Sequence, residues 1–337
     1  MKVLVVTNMY PTPEMPSYGI FVREQVESLR REGVDIDVFF VNGKKNKFNY
    51  IWAICRLWAW LLTHRYDLIH AHYVFSGIIA RFQFLYPVVL THHGLEVFTS
   101  WQRFPSRIIT RLVDRVILVS QEQKEKLAYD RADVIPCGID LDLFSPMPRD
   151  EARRKLNIAP DNKLVLVTWA GALSRPEKRF DIAQSAVALA QARDPKIQLL
   201  PVTGKPYSMI PLYMNACDVL LLVSDAEGSP TVIKEAMACN LPIVSVVVGD
   251  VAEVISGTDG CYLCRQDPAD VAEKLMLALS DTKRTRGREK IKHFDQGSTA
   301  QRIITLYQDA LRNKNGRSKD NRFFKKEGWG DEARLHG

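Results

Sequence analysis

Two acids, Glu227 and Glu235, stand eight positions apart around Gly228-Ser229-Pro230-Thr231. An apolar run at 219–223 precedes them and an apolar-periodic segment follows, so the stretch reads as a strand-to-helix turn. Gly228 allows tight backbone approach, Ser229 is a good N-cap, and Pro230 suits the first helical position. The free amides and positive dipole end of such a helix attract anions. At the C-terminal edge of a parallel sheet, that is where phosphorylated ligands bind. Acids beside a phosphate site make chemical sense when they grip hydroxyls, which sugar and ribose rings supply. The plainer reading is that both glutamates only favour the helix dipole.

A second cluster, His70-Ala71-His72 and Thr91-His92-His93-Gly94, ends two neighbouring apolar runs. If both runs are parallel strands, these histidines converge at one sheet edge. His70 and His72 share a face at strand spacing. Such a set can hydrogen-bond a ligand, hold a metal, or serve as hydrogen-bonded structural histidines. Gly19 closes a long connection after the first apolar run. The absence of a G-x-G-x-x-G pattern there argues against a nicotinamide cofactor.

These residues need a scaffold, and the remaining pattern supplies one. Strands are predicted at 2–7, 35–41, 67–72, 88–93, 115–120 and 134–136, alternating with helices at 21–31, 50–63, 75–84, 104–113 and 121–129. The strand runs are almost continuously aliphatic rather than alternating, which indicates a parallel sheet covered on both faces. The pattern pauses near Pro146 and Pro148 and then restarts, with strands at 164–169, 198–202, 219–223 and 243–248 and helices at 180–192, 230–238, 268–279 and 299–311. The expected architecture is α/β: two Rossmann-like, doubly wound parallel-sheet domains, 1–145 and 146–312, with a polar, disordered tail at 313–337.

The 337 residues suit two domains of ordinary size. A formal charge of +7 fits an anionic partner such as a nucleoside diphosphate or acidic lipid. The basic residues form no patterned nucleic-acid recognition element. Cys261 and Cys264 make a lone C-x-x-C in a predicted strand, and no second pair completes a zinc site. The opening apolar run is too short for a secretion signal, and the longest one, 51–62, is too short to span a bilayer. A cytoplasmic location follows, and Lys44, Lys45 and Lys47 ahead of Trp52, Trp58 and Trp60 suit contact with a membrane surface as well as a buried crossover helix.

The order of motifs carries a further indication. The segment Glu227 to Glu235 resembles the E-x7-E motif of glycosyltransferase family 4, a retaining family with the GT-B fold. Met237-Ala238-Cys239-Asn240-Leu241-Pro242, Pro136-Cys137-Gly138-Ile139-Asp140, Arg175-Pro176-Glu177-Lys178 and Asn8-Met9-Tyr10-Pro11 resemble other family segments, in family order. The resemblance covers roughly residues 1–311. It implies that Glu235 binds the donor ribose, that Glu227 binds the transferred sugar, and that Lys178 neutralises the donor diphosphate. His93 is implied beside the sugar, and Gly19 near the phosphates and acceptor, with Gly228, Ser229, Pro230 and Thr231 forming the donor cradle. The family arginine expected after Gly171 is Ala172 here, which leaves Arg175 as the substitute. No metal and no resident cofactor are implied. The donor is a UDP- or GDP-linked sugar, and the acceptor a glycan or lipid-linked hydroxyl in surface polysaccharide or glycolipid synthesis. An epimerase or phosphorylase on the same scaffold, or a catalytically silent sugar-nucleotide-binding protein, are the alternatives.

Overall fold

The computed structural model describes residues 1–324 apart from 44, 170–174 and 281–282, without the side chains of Leu95 and 313–324. Two wholly parallel sheets form. The first runs β2–β1–β3–β4–β5–β6, from β1 (Lys2–Thr7), β2 (Asp35–Phe40), β3 (Leu68–His72), β4 (Val88–His92), β5 (Arg115–Leu118) and β6 (Asp133–Val134). The second runs β11–β10–β9–β7–β8, from β7 (Lys163–Trp169), β8 (Ile197–Thr203), β9 (Val219–Leu222), β10 (Ile243–Val246) and β11 (Cys261–Cys264).

The aliphatic runs form these strands because both faces are covered. Every residue of β3 and β4 is buried. In the first domain, Val3 and Val5 face a layer built from the helices Ile20–Arg31 and Gln296–Phe324. Leu4 and Val6 face the opposite layer, from the helices Asn49–Thr63, Val74–Arg81 and Ser100–Leu112. The second domain packs a single apolar core around β7, β9 and β10.

Strand order reverses between β1 and β3 in the first sheet and between β7 and β9 in the second. At each reversal the connections leave in opposite directions and open a crevice beyond the strand ends. The segments after β1, β3 and β4 border the first crevice, and those after β7 and β9 border the second.

Three differences from the sequence pattern stand out. Helices at Arg149–Leu156, Ile210–Ala216 and Val251–Ile255 were not predicted; all are short, so their periodicity is weak. The helix expected at 299–311 within the second domain runs from Gln296 to Phe324 and packs on the first sheet through Ala300, Ile303, Leu306, Tyr307 and Ala310. Its backbone therefore continues through 313–324, where a disordered tail was expected, because an anchored helix extends more readily than a new one nucleates. Residues 325–337 lie outside the described residues. The chain crosses between domains twice, side by side: Ile139 donates its amide to Phe294 O and accepts from Gln296 N. Among the described residues, no helix is long and apolar enough to cross a membrane.

Candidate active site

The helix Thr231–Ala238 follows β9 (Val219–Leu222) through the turn that holds Glu227 and Gly228. Pro230 occupies the cap position, one residue later than predicted, and Ser229 does not cap the helix. Its hydroxyl is engaged elsewhere: Ser229 Oγ donates to Asp250 Oδ2 at 2.7 Å and accepts from Lys234 Nζ at 2.8 Å. Lys234 also reaches Asp250 Oδ2 at 2.7 Å and lies over the Phe294 ring. All three polar residues are buried. This buried pair ties the helix start to the segment after β10, which fixes where the first-turn amides point. Those amides have no partner within the helix itself.

The two predicted acids occupy different environments. Glu227 is half-buried, and its Oε1 accepts from Lys178 Nζ at 2.5 Å, so the sequence-predicted cation and acid meet. Glu235 is buried and accepts from the Tyr207 hydroxyl at 2.8 Å. Burial pushes its carboxyl up to about 7, while the Tyr207 and Thr231 hydroxyls hold it lower than burial alone would. Tyr207 follows β8, and sequence reading did not single it out; its position just past a strand's C-terminal end was the available signal.

Arg175 forms an ion pair with Glu177 at 2.6 Å. Its charge also acts on Tyr18 and Tyr73 of the first domain, opposing the burial that raises both phenols. The arginine therefore borders the gap between the domains. Gly171 and Ala172, where the family pattern departs, lie outside the described residues.

The histidines divide into pairs with different partners. His70 is buried, between Tyr307 OH at 2.6 Å and Thr91 Oγ1 at 2.7 Å. His92 meets Thr110 Oγ1 at 3.0 Å. These two serve the first domain's interior. His93 lies at the domain junction, with its Nε2 2.8 Å from His72 Nδ1 and its Nδ1 3.8 Å from Cys137 Sγ. The imidazole thus turns toward its own domain, and the His93 backbone faces the second domain. Burial pushes His72 down to about 3 and holds His93 well below the usual histidine range, so a neutral donor–acceptor pair accounts for the short contact. Glu96 fixes the turn by accepting from the amides of His93 at 2.7 Å and Gly94 at 3.1 Å. Phe21, from the helix that Gly19 starts, lies 4.8 Å from the His93 ring.

Two glycines are required by this geometry. Gly19 takes a φ of 71°, and a Cβ there would lie 2.5 Å from Met9 O. At Gly228, a Cβ would lie 2.1 Å from His93 O. The backbone of the acid-bearing turn therefore touches the backbone of the histidine turn across the junction. Gly249 N donates to Glu122 Oε2 at 3.1 Å, a hydrogen bond between the domains. Neither Glu122 nor Asp250 was singled out from the sequence.

Two facing doubly wound domains, with acids, cations and an amide-bearing helix start at their junction, define the GT-B class of glycosyltransferases. Residues 2–143 match the family model described as Glycosyltransferase Family 4, and residues 187–281 match that described as Glycosyl transferases group 1. Together the two models reach into both domains, and the chain is a glycosyltransferase of the GT-B fold. It is 26% identical to a Bacillus subtilis protein named as a teichuronic acid biosynthesis glycosyltransferase, TuaC, over 75% of this chain and 83% of that one. It is 30% identical to a D-inositol 3-phosphate glycosyltransferase of Pseudarthrobacter chlorophenolicus, over 64% of this chain and 63% of that enzyme, so it spans under two-thirds of the latter's length. Among solved structures, a sucrose-phosphate synthase from Thermosynechococcus elongatus superposes with a TM-score of 0.79 at 20% identity, covering 93% of this chain and all of that one. Anabaena HepE, solved in complex with UDP, superposes with a TM-score of 0.69 at 18% identity, over 92% and 100% of the two chains.

Proposed function

We propose that this glycosyltransferase moves a sugar, with retention of configuration, from a nucleoside diphosphate sugar to a glycan or lipid-linked hydroxyl in surface polysaccharide or glycolipid synthesis. The donor is UDP- or GDP-linked, and no metal or resident cofactor takes part. One observation carries the reading: the Gly228 turn, with Glu227 and Lys178 beside it, abuts the His93 backbone at the junction between the crevices. A sugar diphosphate laid along that junction meets hydroxyl acceptors and cations together.

In this reading Glu235 accepts from the ribose hydroxyls, taking over the position that the Tyr207 hydroxyl holds in the free protein. Glu227 accepts from the transferred sugar. Lys178, paired with Glu227 before donor binding, turns toward the diphosphate together with Arg175. Cleaving the bond to diphosphate loads negative charge onto the leaving oxygens. Fixed cations and helix amides stabilise that charge most where it is greatest, in the transition state. The UDP bound by HepE supports the donor class by analogy.

A thermal-shift series with UDP, GDP, ADP and their sugars tests the donor assignment. Selective stabilisation by one nucleotide, lost in Glu235→Ala, is the expected outcome. Equal response of wild type and Glu235→Ala to every donor removes the ribose role. Transfer at wild-type rate by Glu235→Ala overturns the site.

A further inference from the structure

The helix Asn49–Thr63 contains no acid and only one charged residue, Arg56. One side, through Ala53, Leu57 and Leu61, is buried in the first domain's core. The other side is apolar too, yet Ile51 and Trp52 are 65% and 66% exposed. A helix that is apolar all round is normally covered on all sides in its working state.

A second helix adds to this face. On Ser100–Leu112, Trp101, Phe104, Ile108 and Leu112 recur every three or four residues, which places them in one stripe. Trp101 is 63% exposed and Phe104 71%. The two helices are joined through Phe75, whose ring centroid is 5.2 Å from Tyr50 and 6.1 Å from Trp101. At the far end, Arg81 donates to Leu112 O and lies over the Phe84 ring, itself 76% exposed. Arginines border the stripe. Arg103 donates to Val97 O and Phe98 O, Arg107 to Lys126 O, and Arg111 to Arg107 O. These acceptors are neutral carbonyls, so the positive charges are not cancelled by them.

We infer that this face docks on the surface of an anionic lipid bilayer, with Trp52, Trp101 and Phe104 entering the headgroup boundary and the arginines meeting lipid phosphates. Large apolar residues beside cations on a helix lying in the interfacial plane are what that boundary selects. A second copy of the chain fits less well, because a two-fold contact sets the same arginines against each other. The inference rests on the acceptor side of the transferase reading and names where a lipid-linked acceptor is met. Helix Ser100–Leu112 follows closely on the His93-Gly94 turn, and Tyr50 OH accepts from Asn8 Nδ2 in the segment after β1, so the face adjoins the first crevice.

Co-sedimentation of the full chain with phosphatidylcholine vesicles, and with mixed phosphatidylcholine–phosphatidylglycerol vesicles, tests this. Binding to the mixed vesicles, weakened by salt, is expected. Arg107→Gln/Arg111→Gln lowers that affinity on the order of 30-fold, taking two arginines at their usual contribution near an anionic surface. Trp101→Glu/Phe104→Glu abolishes binding, and brominated lipid quenches tryptophan emission of the unaltered protein. No binding to mixed vesicles, or equal binding by the arginine variant, overturns the inference. A dimer in solution that Trp101→Glu/Phe104→Glu dissolves, without vesicle binding, assigns the face to a second copy instead. Donor-induced thermal shifts on the same preparations keep the two readings separable: shifts retained without vesicle binding sink only the surface, and vesicle binding without any donor shift sinks only the transferase site.

Discussion

Replacing Glu235 by glutamine changes stability in a pH-dependent way whose sign and size follow from its surroundings. The carboxyl is buried and its pKa stands at about 7 against an ordinary 4.5, burial being the main cause. Below pH 4.5 the group is protonated in both folded and unfolded chains, and it contributes no penalty. Between pH 4.5 and about 7 the unfolded chain releases the proton while the folded chain keeps it, so the folded state loses stability as pH rises. Above about 7 the loss is complete. The interval from 4.5 to about 7, at about 1.4 kcal/mol per pH unit, corresponds to a penalty of about 3 kcal/mol. A glutamine carries no such penalty.

Urea unfolding of wild type and Glu235→Gln at pH 4.5 and pH 8 measures it. The change in stability from wild type to variant is expected to be about 3 kcal/mol more favourable at pH 8 than at pH 4.5. Taking the difference between the two pH values removes the constant effect of altering the Tyr207 hydrogen bond. The same titration governs the proposed ribose contact, since only the ionised carboxylate accepts from both ribose hydroxyls. Donor affinity of the wild type therefore rises with pH up to about 7 and levels off, while that of Glu235→Gln stays low and flat. A variant whose stability difference is the same at both pH values would falsify the account of Glu235 as a carboxylate strained by burial.

Tyr207→Phe removes the hydroxyl that holds the Glu235 pKa down, so the midpoint of the donor-affinity profile moves above 7; calorimetric titration across pH reads it, and an unmoved midpoint contradicts the assignment. Lys178→Ala is expected to lower kcat by roughly 10²–10³-fold with the circular dichroism spectrum unchanged, as for loss of one group that stabilises developing charge; initial rates near wild type rule that role out. Gly228→Ala puts a Cβ into His93 O, so the domains cannot meet as they do here. A loss of at least roughly 100-fold in kcat/KM and a larger radius of gyration by small-angle scattering are expected. Lys234→Met leaves Asp250 buried and without its cation and costs about 3–5 kcal/mol; a thermal midpoint equal to wild type shows that the pair is dispensable.

Local pattern made most of the fold legible, and its failures have a common cause. The first-domain strands were readable because burial on both faces demands aliphatic runs, which make up most of β1, β3 and β4. The acids and cations were readable because the ends of parallel strands concentrate ligand-binding residues, and Lys178 does meet Glu227 there. Ser229 was misassigned because local rules rank serine as a cap, while a lysine five residues on and an aspartate twenty-one residues on compete for its hydroxyl. That competition is tertiary and leaves no periodic trace. The same holds for His93, whose imidazole is turned inward by His72, and for the helix Gln296–Phe324, whose apolar face packs on the first domain's sheet rather than on the second domain's core. Where a side chain's partner is set by chain crossing or by contact between domains, sequence supplies the candidates and packing selects among them. The junction is the extreme case: Gly228 and His93 meet by backbone, so even complete knowledge of side-chain chemistry leaves their approach invisible until both sheets are in place.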